Sequence, residues 1–180
     1  MDLVVLAGAA FVVWLLLSGK DQTSDAAQPD AQAPQPGTLD TKSPMDALQR
    51  TFEGFRRLAY QDGAGQSIGY GHQLQPGESY PDGVTQAQAE ALLAQDRQKA
   101  SDAIVDQVKV PLNTNQFEAL LDWVFNLGAG NLQKSTLLAK LNAGDYGAVG
   151  QEMARWDYAN GAPSTALDTR RAAEASLWES

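Results

Sequence analysis

Two carboxylates and one hydroxyl in the first half of the chain could carry acid–base chemistry. Glu53 is followed at once by Gly54, and Asp62 and Ser67 lie in a glycine-rich run, QDGAGQSIGYGH, over residues 61–72. Glycosidic cleavage requires one carboxyl group that protonates the leaving oxygen and a second, ionised carboxylate that acts across the bond. Glu53 and Asp62 would meet this requirement if their elements face each other across a cleft.

The composition argues against several other chemistries. The chain has 180 residues and no cysteine, which excludes a disulfide framework, a thiol nucleophile and a cysteine zinc site. His72 is the single histidine, so neither a histidine-rich metal site nor a serine–histidine relay is expected. The net charge is −9, whereas nucleic-acid binding depends on a basic surface. We therefore expect no metal, no cofactor and no nucleic-acid partner.

A helix and a hairpin are expected to position the two carboxylates. Ser43, Pro44 and Asp46 form a helix start, with a hydroxyl at the N-cap, proline at the first position and an acid in the first turn. This helix is predicted to end near residues 59–60. The glycines at 63, 65, 69 and 71 disfavour a helix and predict a tight hairpin or a bulged pair of strands.

The remainder of the chain is predicted to be mostly helical. Thr85 and Gln88 form a capping box that opens a long helix toward Lys109. Apolar residues from Phe117 to Phe125 recur at helical spacing, and Gly128 ends that helix. Further helices are expected around residues 137–141, 145–156 and 165–178. The predicted fold class is α+β, a small β-hairpin lobe beside a mostly helical lobe.

The first 43 residues differ in composition from the rest. Residues 3–18 carry no charge and as a helix would be roughly 24 Å long, against about 30 Å of hydrocarbon core. An uncleaved transmembrane anchor over residues 1–20 is favoured over a cleaved signal peptide, which normally has a basic leader. Residues 21–43 are rich in Gln, Ala, Pro and Asp and predict a disordered polar linker. The folded domain is then expected over residues 44–180.

Several ordered motifs in this domain resemble those of a known family. Residues 53–72, EGFRRLAYQDGAGQSIGYGH, are similar to the active-site signature of the phage-type (T4-like) lysozymes, glycoside hydrolase family 24. The chain also resembles the later helices of phage endolysins in this family, over residues 116–130, 135–146 and 169–177. The resemblance thus covers residues 44–180 and implies a lysozyme-like fold.

The resemblance implies a role for each candidate site residue. Glu53 matches the general acid, and Asp62 matches the second carboxylate, which positions or activates the attacking water. Ser67 falls where the family usually has threonine, and the Asp62–Ser67 interval is one residue shorter than in the commonest motif. Asn126, His72 and Arg171 are candidate substrate-binding residues. His72 also has a purely structural interpretation, and either Arg171 or its neighbour Arg170 could pair with Glu53.

The implied function is that of an endolysin, with peptidoglycan glycan strands as its substrate. The expected reaction is inverting hydrolysis of the β-1,4 bond between N-acetylmuramic acid and N-acetylglucosamine, for lysis of the host cell. The anchor and linker resemble signal-anchor-release endolysins. They imply contact with inner-membrane lipid through residues 3–18 and a monomeric catalytic domain on the periplasmic side, which can be released. The alternatives are a virion-associated lysozyme, a lytic transglycosylase and a wall-binding protein without activity.

Overall fold

The computed structural model describes residues 44–62, 65–159 and 161–180. The predicted anchor over residues 1–20 and the predicted linker over residues 21–43 lie outside the described residues. The described elements are α1 (Pro44–Glu53), β1 (Arg56–Asp62), β2 (Gly65–Gly69), β3 (His72–Gln73), α2 (Gln86–Gln107), α3 (Thr114–Leu127), α4 (Ala129–Lys134), α5 (Thr136–Asn142), a 3-10 turn (Tyr146–Ala148), α6 (Val149–Ala154), β4 (Tyr158–Ala159), β5 (Ala162–Pro163) and α7 (Thr165–Trp178). The predicted α+β fold, a small sheet beside a helical lobe, is confirmed.

The first helix ends earlier than the sequence predicted. The prediction of a helix to residues 59–60 is wrong, because α1 stops at Glu53 and the chain turns at Gly54, whose φ is +63°. Residues from Arg56 onward form β1 instead, which pairs antiparallel with β2 and carries an irregularity between Arg56 and Tyr60. Glu53 is therefore the last helical residue, and Asp62 lies at the far end of the next strand.

The predicted sheet is present with one more strand than a hairpin. The three strands lie in the order β1-β2-β3, and all neighbours are antiparallel. In the register of the first pair, Tyr60 lies opposite Ser67 and Asp62 lies opposite Gly65. This pairing brings Ser67 back beside the end of β1, close to Asp62.

Local signals set the ends of most helices. The capping box at Thr85 is confirmed, because Thr85 Oγ1 accepts from the Gln88 amide at 3.2 Å while Gln88 Oε1 accepts from the Thr85 amide at 2.8 Å. α2 ends at Gln107, close to the predicted end, and α3 stops before Gly128 as predicted. α7 has the predicted bounds. The segment predicted as one helix over residues 145–156 is divided into the 3-10 turn and α6.

Two apolar cores hold the site from either side. The smaller core lies beneath the sheet and consists of Ile68, Tyr70, Val84, Ala89, Leu92 and Leu93. The larger core surrounds α3, of which Ala119, Leu120, Leu121 and Trp123 are fully buried. Phe125 packs against both cores. Because α3 is packed on all sides, its polar residues Asp122 and Asn126 are held in fixed positions.

Candidate active site

A cleft of about 450 Å³ lies between the sheet and the helical lobe. Both predicted catalytic carboxylates, Glu53 and Asp62, line it. The remaining lining residues are Gly71, Gln73, Gln75, Asp96, Lys99, Ala100, Val124, Phe125, Asn126, Leu127, Gly128 and Ala129. The structure thus brings the end of α1, the sheet and the end of α3 together around one opening.

Glu53 is largely buried and is held by a cation. Its side chain is 18 % exposed, and Arg170 Nη1 donates to Glu53 Oε1 at 2.7 Å. A Cβ atom on Gly71 would lie 2.9 Å from the other oxygen, Glu53 Oε2, and Gly71 has φ of +83°. A side chain at position 71 would therefore strain the backbone and would push against the carboxyl group of Glu53.

The environment of Glu53 favours its protonated form. Burial raises the pKa of Glu53 above its ordinary value, since the charged form loses hydration. The neighbouring Arg170 cation opposes this rise, while the negative charges of Asp122 and Asp62 add to it. A carboxyl group with a raised pKa in a cleft is suited to act as a general acid near neutral pH.

Arg170 connects the acid to the centre of the helical lobe. Its Nε and Nη2 donate to the two carboxylate oxygens of Asp122 at 2.8 and 2.9 Å, and the Asp122 side chain is 0 % exposed. Burial lowers the pKa of Arg170, but the contacts with Asp122 and Glu53 outweigh burial and raise it above its ordinary value. Arg170 therefore remains charged. The sequence left open which of two arginines pairs with Glu53, and the structure places Arg170 there.

Asp62 and Ser67 are neighbours near the end of the β1–β2 pair at which β1 ends and β2 begins. Asp62 is exposed on β1, whereas Ser67 on β2 is fully buried. Ser67 Oγ donates to Asp62 Oδ2 at 3.3 Å. The hydroxyl thus reaches the carboxylate although serine replaces the usual threonine and the turn is shorter.

His72 supports the sheet and is not among the residues that line the cleft. Its Nδ1 lies 2.7 Å from Asp96 Oδ2 and its Nε2 lies 3.0 Å from Glu78 Oε2, with the side chain 5 % exposed. Burial lowers the pKa of His72, but the bonds to Glu78 and Asp96 outweigh this and raise it. Both ring nitrogens are engaged by carboxylates, which favours the structural interpretation of His72.

The other two candidate substrate-binding residues differ in position. Asn126 is half-buried at the end of α3 and lines the cleft. Arg171 is 1 % exposed, and its Nη2 donates to Asn126 Oδ1 at 2.7 Å. Arg171 therefore lies behind Asn126, and its side chain does not reach the cleft surface.

The sequence reasoning missed the acids that organise this site from beneath. Asp122 and Glu174 are both 0 % exposed, and Glu174 Oε1 lies 3.1 Å from Arg171 Nη2. Asp122 had a visible signal, since it is the one acid in the apolar run LLDWVF over residues 120–125. In the described part of the chain, no group of three or more His, Asp and Glu side chains is arranged to hold a metal ion.

Comparison with known proteins places the chain in a family. The phage lysozyme family matches residues 50–174. The chain is similar to an endolysin from Acyrthosiphon pisum secondary endosymbiont phage 1, with 43 % identity over 140 residues, 74 % of this chain and 93 % of that protein. It is also similar to a SAR-endolysin of Bacteriophage PS119, with 37 % identity over 127 residues, 68 % of this chain and 74 % of that one.

The fold of this chain is similar to that of a muramidase domain of known structure. The muramidase domain of SpmX from Asticaccaulis excentricus superimposes with a TM-score of 0.67 and 35 % identity, covering 74 % of this chain and 93 % of that chain. This chain therefore belongs to the phage lysozyme family.

Proposed function

We propose that the cleft hydrolyses the β-1,4 bond between N-acetylmuramic acid and N-acetylglucosamine, with Glu53 as the general acid. Membership of the family makes the protein a muramidase-type glycoside hydrolase, a phage endolysin that degrades peptidoglycan during host lysis. The observation that carries the assignment of Glu53 is its burial, with a raised pKa, in a cleft that a second carboxylate, Asp62, also lines.

In the proposed mechanism the two carboxyl groups act on opposite sides of the scissile bond. Glu53 donates its proton to the glycosidic oxygen as the bond to the anomeric carbon breaks. A water molecule held by Asp62, whose carboxylate Ser67 orients, attacks that carbon from the other face, and its proton passes to Asp62. Inversion results because the attack is direct, and this geometry requires carboxyl groups about 6.5–9.5 Å apart.

Ser67 and Arg170 are proposed to keep these two groups in their roles. Ser67 is fully buried and lies behind the cleft lining, and its bond to Asp62 Oδ2 is proposed to orient the carboxylate that holds the attacking water. Arg170 fixes the Glu53 carboxyl group by a charge-assisted bond and limits the rise of its pKa. Asn126 is proposed to contact the glycan, because it lines the cleft.

The test is hydrolysis of peptidoglycan by the purified protein beside two single variants. E53Q removes the proton donor and D62N removes the second charge, and each is expected to reduce hydrolysis by at least 100-fold without loss of folding. Full activity of E53Q would refute the assignment of Glu53. Mass spectrometry of the products distinguishes the alternatives, because a lytic transglycosylase leaves 1,6-anhydro ends and a wall-binding protein releases nothing.

We further propose that residues 1–20 anchor the protein in the inner membrane, that residues 21–43 form a linker and that residues 44–180 form the muramidase domain on the periplasmic side. The support is the uncharged run over residues 3–18 and the similarity to relatives named SAR-endolysin. Among the residues that the structure describes, no helix is long and apolar enough to cross a membrane.

Fractionation of tagged full-length protein over time tests this placement. Early recovery with the inner membrane, followed by appearance in the periplasm, would support an anchor that is released. Recovery in the cytoplasm throughout would refute it. Recovery in purified virions would instead favour a role when the phage enters the cell.

A further inference from the structure

The carboxamide of Asn126 has only one possible orientation in this structure. Arg171 Nη2 lies 2.7 Å from the Asn126 side chain. A guanidinium group carries donors and no acceptor, so the Asn126 atom that faces it must be the oxygen Oδ1. The Nδ2 group, with its two N–H donors, is therefore directed away from Arg171.

Arg171 is placed where it can act on Asn126 and not on the glycan. The Arg171 side chain is 1 % exposed and does not line the cleft, whereas Asn126 does. Among the described residues, Arg171 Nε and Nη1 have no hydrogen-bond partner. The contacts of this buried guanidinium group are made through Nη2. This nitrogen donates to Asn126 Oδ1, and Glu174 Oε1 lies 3.1 Å from it.

We propose that Arg171 is a positioning residue, which holds the Asn126 carboxamide so that the cleft is offered N–H donors and not a carbonyl oxygen. This inference rests on the proposed function of the cleft. The substrate group selected in this way is an acceptor without a hydrogen to donate, such as the carbonyl oxygen of an acetamido group. Arg171 then acts on substrate affinity through Asn126, and proton transfer by Glu53 does not involve it.

The test compares KM and kcat on soluble peptidoglycan fragments for variants at both positions. N126D keeps the shape and gains a charge toward Arg171, but it has no N–H to donate. We expect N126D to raise KM by about three- to tenfold, the effect of one hydrogen bond, without lowering the melting temperature. We expect kcat to stay within about twofold of the wild-type value. An unchanged KM in N126D would refute the requirement for a donor.

Substitutions at Arg171 test whether the effect passes through Asn126. N126A, which also removes the N–H donor, should raise KM. R171M should raise KM by the same factor, and the double variant N126A/R171M should raise it no further. R171K should restore KM to within about twofold, because an ammonium group is also a donor without an acceptor. If the effects of N126A and R171M multiply, or if R171M lowers kcat at unchanged KM, Arg171 does not act through Asn126.

A matched variant separates positioning from loss of a buried arginine. Arg97 is 2 % exposed on α2, bonds to Gln49 and Glu118, and does not line the cleft. R97M should lower the melting temperature and leave KM unchanged. If R97M raises KM as much as R171M does, the effect of R171M is one of stability.

Binding measured in the inactive background keeps the inference separate from the proposed hydrolysis. E53Q should bind the same fragments, and E53Q/N126D should bind them about three- to tenfold more weakly. Failure of the wild-type protein to hydrolyse would overturn the proposed function alone. Equal binding by E53Q and E53Q/N126D would overturn the inference alone.

Discussion

Replacing Arg170 with methionine tests whether one guanidinium group supports both the fold and the acid. Arg170 bonds to Asp122 at 2.8 and 2.9 Å and to Glu53 at 2.7 Å. In R170M the carboxylate of Asp122, which is 0 % exposed, would lose its cation while it stays buried. Removing one partner of a buried ion pair costs about 3–5 kcal/mol, a large part of the roughly 5–15 kcal/mol that stabilises a typical domain. For a domain of this size we expect the melting temperature to fall by roughly 10–25 °C.

The double variant D122N/R170M identifies the source of that loss. Asparagine removes the buried charge at position 122, so we expect the double variant to regain at least half of the lost melting temperature. Thermal unfolding followed by circular dichroism measures both variants under the same conditions. If R170M and D122N/R170M unfold at the same temperature, the unpaired carboxylate is not the cause and the reasoning fails.

The substitution R170M should also shift the pH dependence of activity in a defined direction. Arg170 opposes the rise in the pKa of Glu53, so R170M should raise that pKa further. A general acid works while it is protonated, and a higher pKa therefore moves the high-pH limb of kcat/KM to higher pH. D122N/R170M should move the limb back, because the charge of Asp122 raises the pKa of Glu53. A limb that stays at the wild-type pH in R170M would contradict the assignment of Glu53 as the acid.

Three further outcomes are expected. Because the pKa of Glu53 is raised above 4.5, ionisation of this group destabilises the folded state. In urea titrations E53Q should therefore have the same free energy of unfolding as the wild type below pH 4.5. At higher pH it should be more stable, by about 1.4 kcal/mol per pH unit up to the raised pKa. The raised pKa of His72 also makes the folded state less stable at higher pH. The stability that protonated His72 contributes is complete below pH 6.5 and is lost as the pH rises through the raised pKa, so urea titrations should show a weaker pH dependence for H72Q. G71A should lose about 1–2 kcal/mol and lower kcat roughly 10- to 100-fold by displacing Glu53, whereas G77A, with a similar φ of +86° and open space around it, should lose only stability. Equal kcat in the two glycine variants would contradict the role of Gly71.

The features that the sequence predicted correctly depend on neighbours along the chain. The capping box at Thr85, the end of α3 before Gly128 and the bounds of α7 are all set within a few residues, where side-chain chemistry acts directly on the backbone. Residues 44–53 also form a helix that begins where the N-cap signal predicted, although it ends at Glu53 and not near residues 59–60.

The features that the sequence could not predict depend on distant partners. Residues 56–60 continue an apparent helical pattern, but pairing with β2 outweighs that local preference and makes them a strand. Neither Arg170 nor Arg171 differs in local sequence in a way that shows which one meets Glu53. The difference is set by how α7 packs against α3, where Asp122 receives Arg170 and Asn126 receives Arg171.

The bond between Arg170 and Glu53 joins residues 117 positions apart in the chain. The acid is therefore synthesised well before the cation that orients it. A nascent or truncated polypeptide that lacks α7 would therefore have Glu53 without its partner and would leave Asp122 uncompensated. The acid can thus take its observed orientation only after α7 has been translated and Arg170 has reached both Glu53 and Asp122.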